Sequence, residues 1–311
     1  MGKTDKETKS FMKDNAHFAD AFNYLIYNGE KVIVPDDLVE LDTAELAIPY
    51  SDDGENSEGV SKYRDILKSA TVKQSGNVTY VILGIENQEN VHYAMPVRNM
   101  LYDALSYTKQ VEEKSKEHRK NMDFESGAEF LSGFKKTDKI NPVITLVMLW
   151  SPGKWDGSES IHEMMNIYDS RILKLVPDYK LNLISPYQME DDDFGGFQTD
   201  LGDALHFVKY ARDKAGLENL VTSVNDYRHL DSDAVRVINE VTNAKIKIQK
   251  GEKVVDVCQA ILDMKQESYD DAKVDAIRKV MLKLQYTPVE AMNFLDIPKE
   301  DQEKYMKMLM N

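Results

Sequence analysis

Residues 78–85 read Val78-Thr79-Tyr80-Val81-Ile82-Leu83-Gly84-Ile85, a nearly continuous apolar run. Such a run suits a strand covered on both faces. The turn signal Gln74-Ser75-Gly76-Asn77 precedes it, and residues 63–73 lead into that turn as a second strand-like segment. If the turn centres on Ser75-Gly76, with a two- or a four-residue loop, facing residues carry numbers that sum to 151. Asp65 and Glu86 then stand directly opposite each other.

Opposed side chains on one face of an antiparallel pair lie about 4.5–5.5 Å apart at Cβ, and like charges there are destabilising unless something compensates. A divalent cation is one compensator: Mg²⁺ is commonly held by one or two carboxylates, with water and substrate phosphate completing its shell. Gln88, two residues beyond Glu86, projects from the same face of its strand. The alternative left open by spacing alone is an exposed acidic hairpin end with no ligand.

The remainder of the 311-residue chain narrows the class. Its 42% hydrophobic content supports a substantial core in one large domain or two smaller ones. The longest apolar run, Val143 to Trp150, is shorter than the roughly 20 residues a membrane helix needs. Residues 1–15 are polar and lysine-rich, without the apolar segment of a secretory signal. Cys258 is the only cysteine, which excludes an intrachain disulfide and a cysteine-rich zinc site, so a reducing cytoplasm is the expected compartment. A net charge of −15 opposes broad attraction to nucleic acid, so any such function must use bound metal and local basic surface. Lys114, Lys116, Arg119 and Lys120, followed by Lys135, Lys136 and Lys139, are the candidates. Acidic residues crowd Asp36 to Glu58 instead, where a loop is expected around Ser51-Asp52-Asp53-Gly54.

Periodicity predicts a helix from Asn15 to Tyr27 with Phe18, Phe22, Leu25 and Ile26 on its apolar side, ended by Asn28-Gly29. A strand is expected over Leu38 to Leu46. Pro96 opens a long helix to about Lys120, on which Arg98 and Tyr102 share a face. Strands follow at Val143 to Trp150 and Leu181 to Ile184, and Ser160-Ile161-His162-Glu163 has the spacing of a helix-starting capping box. Beyond Phe197 the pattern is helical, over Thr199 to Ala215, Asp233 to Ala244, Lys253 to Gln266, Tyr269 to Leu284, Pro288 to Leu295 and Lys299 to Leu309. These patterns divide the chain into a mixed α/β domain over 1–215 and an all-helical region over 216–311.

Other chemistries find no support. The six histidines are scattered without an H-E-x-x-H arrangement, and there is neither a P-loop nor a dinucleotide fingerprint. Asp193-Phe194-Gly195 lacks the glycine loop and H-R-D partner that would make it a kinase motif.

The early order helix, strand, strand, strand, helix, strand, with acidic residues on the second and third strands, resembles the PD-(D/E)XK nuclease superfamily. The stretches His17-Phe18-Ala19-Asp20-Ala21-Phe22-Asn23, Arg64-Asp65, Gly84-Ile85-Glu86-Asn87-Gln88 and Met95-Pro96-Val97-Arg98, followed by Tyr102, carry a closer likeness. In them the chain resembles the Rpn (recombination-promoting nuclease) or YhgA-like transposase family. The likeness extends through Pro142 to Trp155 and, more weakly, Leu181 to Lys209.

The resemblance implies a restriction-endonuclease-like mixed sheet flanked by helices and a metal-dependent DNA endonuclease linked to recombination or mobile elements. Asp65 and Glu86 would hold Mg²⁺ or Mn²⁺, Asp20 would be a further acidic partner, and Arg98 and Tyr102 would support phosphate or Glu86. Gln88 occupies the position of the superfamily's lysine, as in related Rpn-like sequences; an amide orients water or phosphate but supplies no positive charge and no general base. A second class stays open beside the enzyme: a weak or inactive nuclease fold that binds DNA or protein. The helical regions also offer a surface for homo-oligomers, and no membrane partner is expected.

Overall fold

The computed structural model describes residues 2–47, 60–74, 77–167 and 169–310. The chain begins with α1 (Lys3–Lys13), a helix that the lysine-rich N-terminus does not announce. Thr8, Phe11 and Met12 form its buried side, at the spacing that puts residues three and four apart on one face. The Asp14 side chain then accepts from the backbone N–H groups of Ala16 and His17, which starts α2 (Asn15–Tyr27). Asn28, in the left-handed region at φ 52°, and Gly29 at φ 88° end it.

The expected strand over Leu38 to Leu46 is two strands, β1 (Leu38–Glu40) and β2 (Ala44–Ala47). The next expected strand also divides, into β3 (Val60–Tyr63) and β4 (Ile66–Gln74), with Arg64 and Asp65 between them. The cause is a change of partner. β2 and β3 pair with each other in a separate two-stranded sheet, while β1 and β5 (Asn77–Gln88) pair with β4. From Ile66↔Ile85 to Gln74↔Asn77 every β4–β5 pair sums to 151; the turn centre at Ser75-Gly76 lies outside the described residues.

α3 (Met95–Asn121) has Pro96 in its first turn and buries Met95, Asn99, Tyr102, Asp103 and Ser106 along one stripe. The short α4 (Gly127–Ser132) leads on to β6 (Val143–Leu149), which runs parallel to β5. Past the single-turn α5 (Ser170–Leu173), β7 (Asn182–Ile184) adds in parallel to β6. The result is a mixed five-stranded sheet in the order β1-β4-β5-β6-β7, flanked by helices. Successive residues of β5 serve opposite faces: Glu86 meets α3, whereas Asn87 accepts from Trp150 Nε1, whose ring lies edge-on to Phe11 of α1.

At Ser160-Ile161-His162-Glu163 the cap contact forms, Glu163 N–H to Ser160 Oγ, but only a 3-10 turn over His162–Met164 follows. His162 is drawn instead to Asp178 and Val176, so the helix does not propagate. The helix expected over Thr199 to Ala215 is likewise interrupted. α6 (Asp200–Tyr210) stops and α7 (Lys214–Ser223) starts afresh, because Asp213 accepts from the N–H groups of Ala215 and Gly216. α8 (Ser232–Thr242) follows.

The chain forms two compact units, one of Met1–Leu217 with Asp231–Lys245 and one of Glu218–Leu230 with Ile246–Asn311. The second unit contains α9 (Val257–Leu284), α10 (Pro288–Phe294) and α11 (Lys299–Met310). α9 is continuous where the pattern predicts two helices, with no proline or glycine to break it. The second unit's core gathers Val274, Ile277, Ala291, Met292, Ile297 and Tyr305. Among the described residues no helix is long and apolar enough to cross a membrane.

Candidate functional site

Glu86 lies near the C-terminal end of β5, beside Val147 of β6, and is wholly buried. Asp65 stands one residue before β4, where the β4–β5 register, continued by one step, sets it opposite Glu86. Its Oδ2 accepts from the Asn87 backbone N–H at 2.8 Å, so a side chain ends the ladder. Carboxyl ends of strands in open α/β sheets are where ligands are commonly received.

Burial, and then the negative charge of Asp65, push the Glu86 carboxyl up to about 8. The Arg98 and Arg64 guanidinium groups and the Asp65 backbone N–H pull it down without cancelling the rise. Asp65 is also raised, by burial first; the Asn87 N–H, Lys9 and Arg98 oppose that shift and Asp5 adds to it. Arg98 Nη2 lies 2.9 Å from Glu86 Oε2 and the Asp65 N–H also faces the carboxyl, but both are out of line, so neither Glu86 oxygen has a well-aligned donor. Two repelling carboxylates, one of them buried and short of donors, suit a small hard divalent cation. Among the described residues no third His, Cys, Asp or Glu completes a metal cluster, so water and substrate oxygen would fill the remaining positions.

Arg98 Nε donates to Tyr102 Oη at 3.1 Å, and the Tyr102 ring has Arg98 and Arg64 guanidinium carbons 5.5 and 5.4 Å from its centre. Arg64 continues inward, donating to Thr145 Oγ1 at 2.7 Å and to Asp103 Oδ1 at 3.0 Å. Asp103 also accepts from Thr145 Oγ1 and from Tyr179 Oη, each at 2.6 Å. Gly84 makes this arrangement possible, since a Cβ there would come within 2.6 Å of Arg64 Nη1. Sequence reasoning gives no role to Asp103, Thr145, Tyr179 or Lys9. The one signal it offers is a lone glycine inside an apolar strand, which marks close approach of another group.

The remaining candidates disperse. Gln88 Nε2 donates to the Asn87 carbonyl at 2.9 Å. Asp20 accepts from the N–H groups of Gln198 and Thr199 and from Thr199 Oγ1, holding the start of α6, and among the described residues no hydrogen bond or ion pair links it to Asp65 or Glu86. Lys114, Lys116, Arg119 and Lys120 lie toward the far end of α3; at about 1.5 Å per residue Lys114 is about 24 Å along the axis from Arg98. Lys114 pairs with Glu117, and Arg119 lies over Phe124 and Phe130. Asn99, one turn before Asp103, is fully buried with both amide atoms unpaired. Comparison of the chain with protein-family models, with curated proteins and with solved structures finds no match.

Proposed function

We propose that the Asp65–Glu86 end of the sheet is the centre of a metal-dependent DNA endonuclease of PD-(D/E)XK type, related to the Rpn nucleases. The observation that carries this reading is Glu86: a buried carboxyl facing a second one, with no aligned donor on either oxygen. Asp65 and Glu86 would hold Mg²⁺ or Mn²⁺. When bound, such a cation supplies positive charge to the scissile phosphate and acidifies water. Hydrolysis joins a water oxygen to phosphorus as the ester P–O bond breaks. One water proton passes to the departing oxygen and the other stays with the new phosphate. Gln88, on the face of β5 shared with Glu86, orients water or phosphate through its amide, and Tyr102 fixes Arg98 beside Glu86.

Calorimetry with Mn²⁺ and a plasmid-cleavage assay test this together. Wild type is expected to bind Mn²⁺ and cut, and Glu86→Gln or Asp65→Asn to do neither while remaining folded. Wild type that binds no divalent cation and cuts neither single- nor double-stranded DNA refutes it. Two observations favour a second reading, a nuclease-fold module that binds without cutting: Arg98 already sits on Glu86, and the Gln88 amide is engaged with Asn87.

A further inference from the structure

The carboxylate pair is bracketed by two cations from two elements. Arg98 approaches Glu86 from α3, with its side chain 33% exposed. Lys9 approaches Asp65 from α1, Nζ to Oδ1 at 3.9 Å, with its side chain 24% exposed. α1 packs against β4 and β5, and its Phe11 meets Trp150 on the side served by Asn87 rather than Glu86. The two cations therefore reach the sheet end from opposite faces, and once Glu86 ionises, above about pH 8 or on binding a cation, their charges balance those of Asp65 and Glu86.

A divalent cation held by the carboxylates would remove that balance. Lys9 and Arg98 would lose their counter-charges beside a new positive centre, and both have long flexible stems and access to solvent. What such a pair then attracts is an anion reaching the cation between them. A phosphodiester, with negative charge on two non-bridging oxygens, meets that description: a lysine is a point-charge phosphate binder and an arginine a forked one. We propose that Lys9 and Arg98 form a two-sided clamp on a phosphate of the nucleic-acid backbone, each leaving its carboxylate as the cation takes it. This rests on the metal-site reading above and assigns to α1 the positive charge that Gln88 lacks.

Lys9→Met, which keeps the aliphatic stem, separates the clamp from the metal site. By calorimetry it is expected to bind Mn²⁺ as well as wild type or up to about threefold tighter, because a repelling neighbour is gone. In Ca²⁺ it is expected to bind a short DNA duplex about tenfold more weakly, and the slope of log K against log salt should fall by about 0.9, one phosphate contact. Lys9→Arg should restore most of the affinity and the slope. If the methionine variant is misfolded by circular dichroism, Lys9→Gln provides the same comparison. Unchanged duplex affinity and salt slope in a folded variant, with wild type binding Mn²⁺ and cutting plasmid, overturn the clamp and leave the metal site standing. Wild type that binds no Mn²⁺ overturns both.

Discussion

Glu86 on β5 and Asp103 on α3 are both carboxyl groups buried where α3 meets the sheet, yet their surroundings are opposite. Asp103 accepts from Arg64, Thr145 and Tyr179, so its charge is met on every side. Glu86 has a guanidinium out of line, a second carboxylate across from it, and no aligned donor. Asp20, with Gln198 and Thr199, belongs with Asp103. A carboxylate supplied with donors is a structural member, because removing it leaves other buried groups unpaired. One kept short of donors costs stability and remains available to a ligand.

The largest expected effect tests the satisfied side. Asp103→Leu should destabilise the sheet unit by about 3–5 kcal/mol, since it strands the buried Arg64 guanidinium. Urea unfolding followed by tryptophan fluorescence reads this unit alone, because both tryptophans, Trp150 and Trp155, lie in it. A loss below about 1 kcal/mol would erase the contrast with Glu86.

Glu86→Gln tests the other side, with the sign set by protonation. The Glu86 carboxyl is raised from 4.5 to about 8, so its contribution to stability is full below about pH 4.5 and is lost as pH rises through about 8. In chelator at pH 8 the variant should be more stable than wild type by about 1–3 kcal/mol, and its stability should vary less between those pH values. A variant less stable than wild type at pH 8 would make Glu86 a structural member like Asp103. Asp20→Ala should cost about 1–2 kcal/mol through the loss of its contacts at the start of α6, with Mn²⁺ affinity unchanged by calorimetry. Smallest in stability is Lys116→Glu, within about 0.5 kcal/mol of wild type, with weaker duplex binding and a shallower salt slope.

Much of this site is legible in the amino-acid sequence. Turn chemistry and the alternation of β5 set a register that needs only local information, and α3 declares itself through Pro96 and an uninterrupted helical stretch. What escapes depends on contacts distant in sequence. Four lysines hide α1, whose buried side is only Thr8, Phe11 and Met12, and with it Lys9. At the break at Arg64-Asp65, where the strand changes partner, Arg64 turns to Asp103 and Thr145 far along the chain. Asp20 looks available from its own helix and is engaged by residues almost two hundred positions away. A capping box at Ser160 is legible, but the pull of Asp178 and Val176 on His162 is not.

Asp65 stands just outside the ladder, while Glu86 is held within β5 by its pairing with Val147 of β6. In the cation-bound state proposed above the two carboxyls would differ in freedom: Asp65 would give up the Asn87 N–H before its Oδ2 could turn to a cation, whereas Glu86 would give up only Arg98. The Asn87 amide proton would then lose its acceptor, so its resonance should shift on titration with Mg²⁺, and an unmoved resonance would mean that Asp65 keeps that contact.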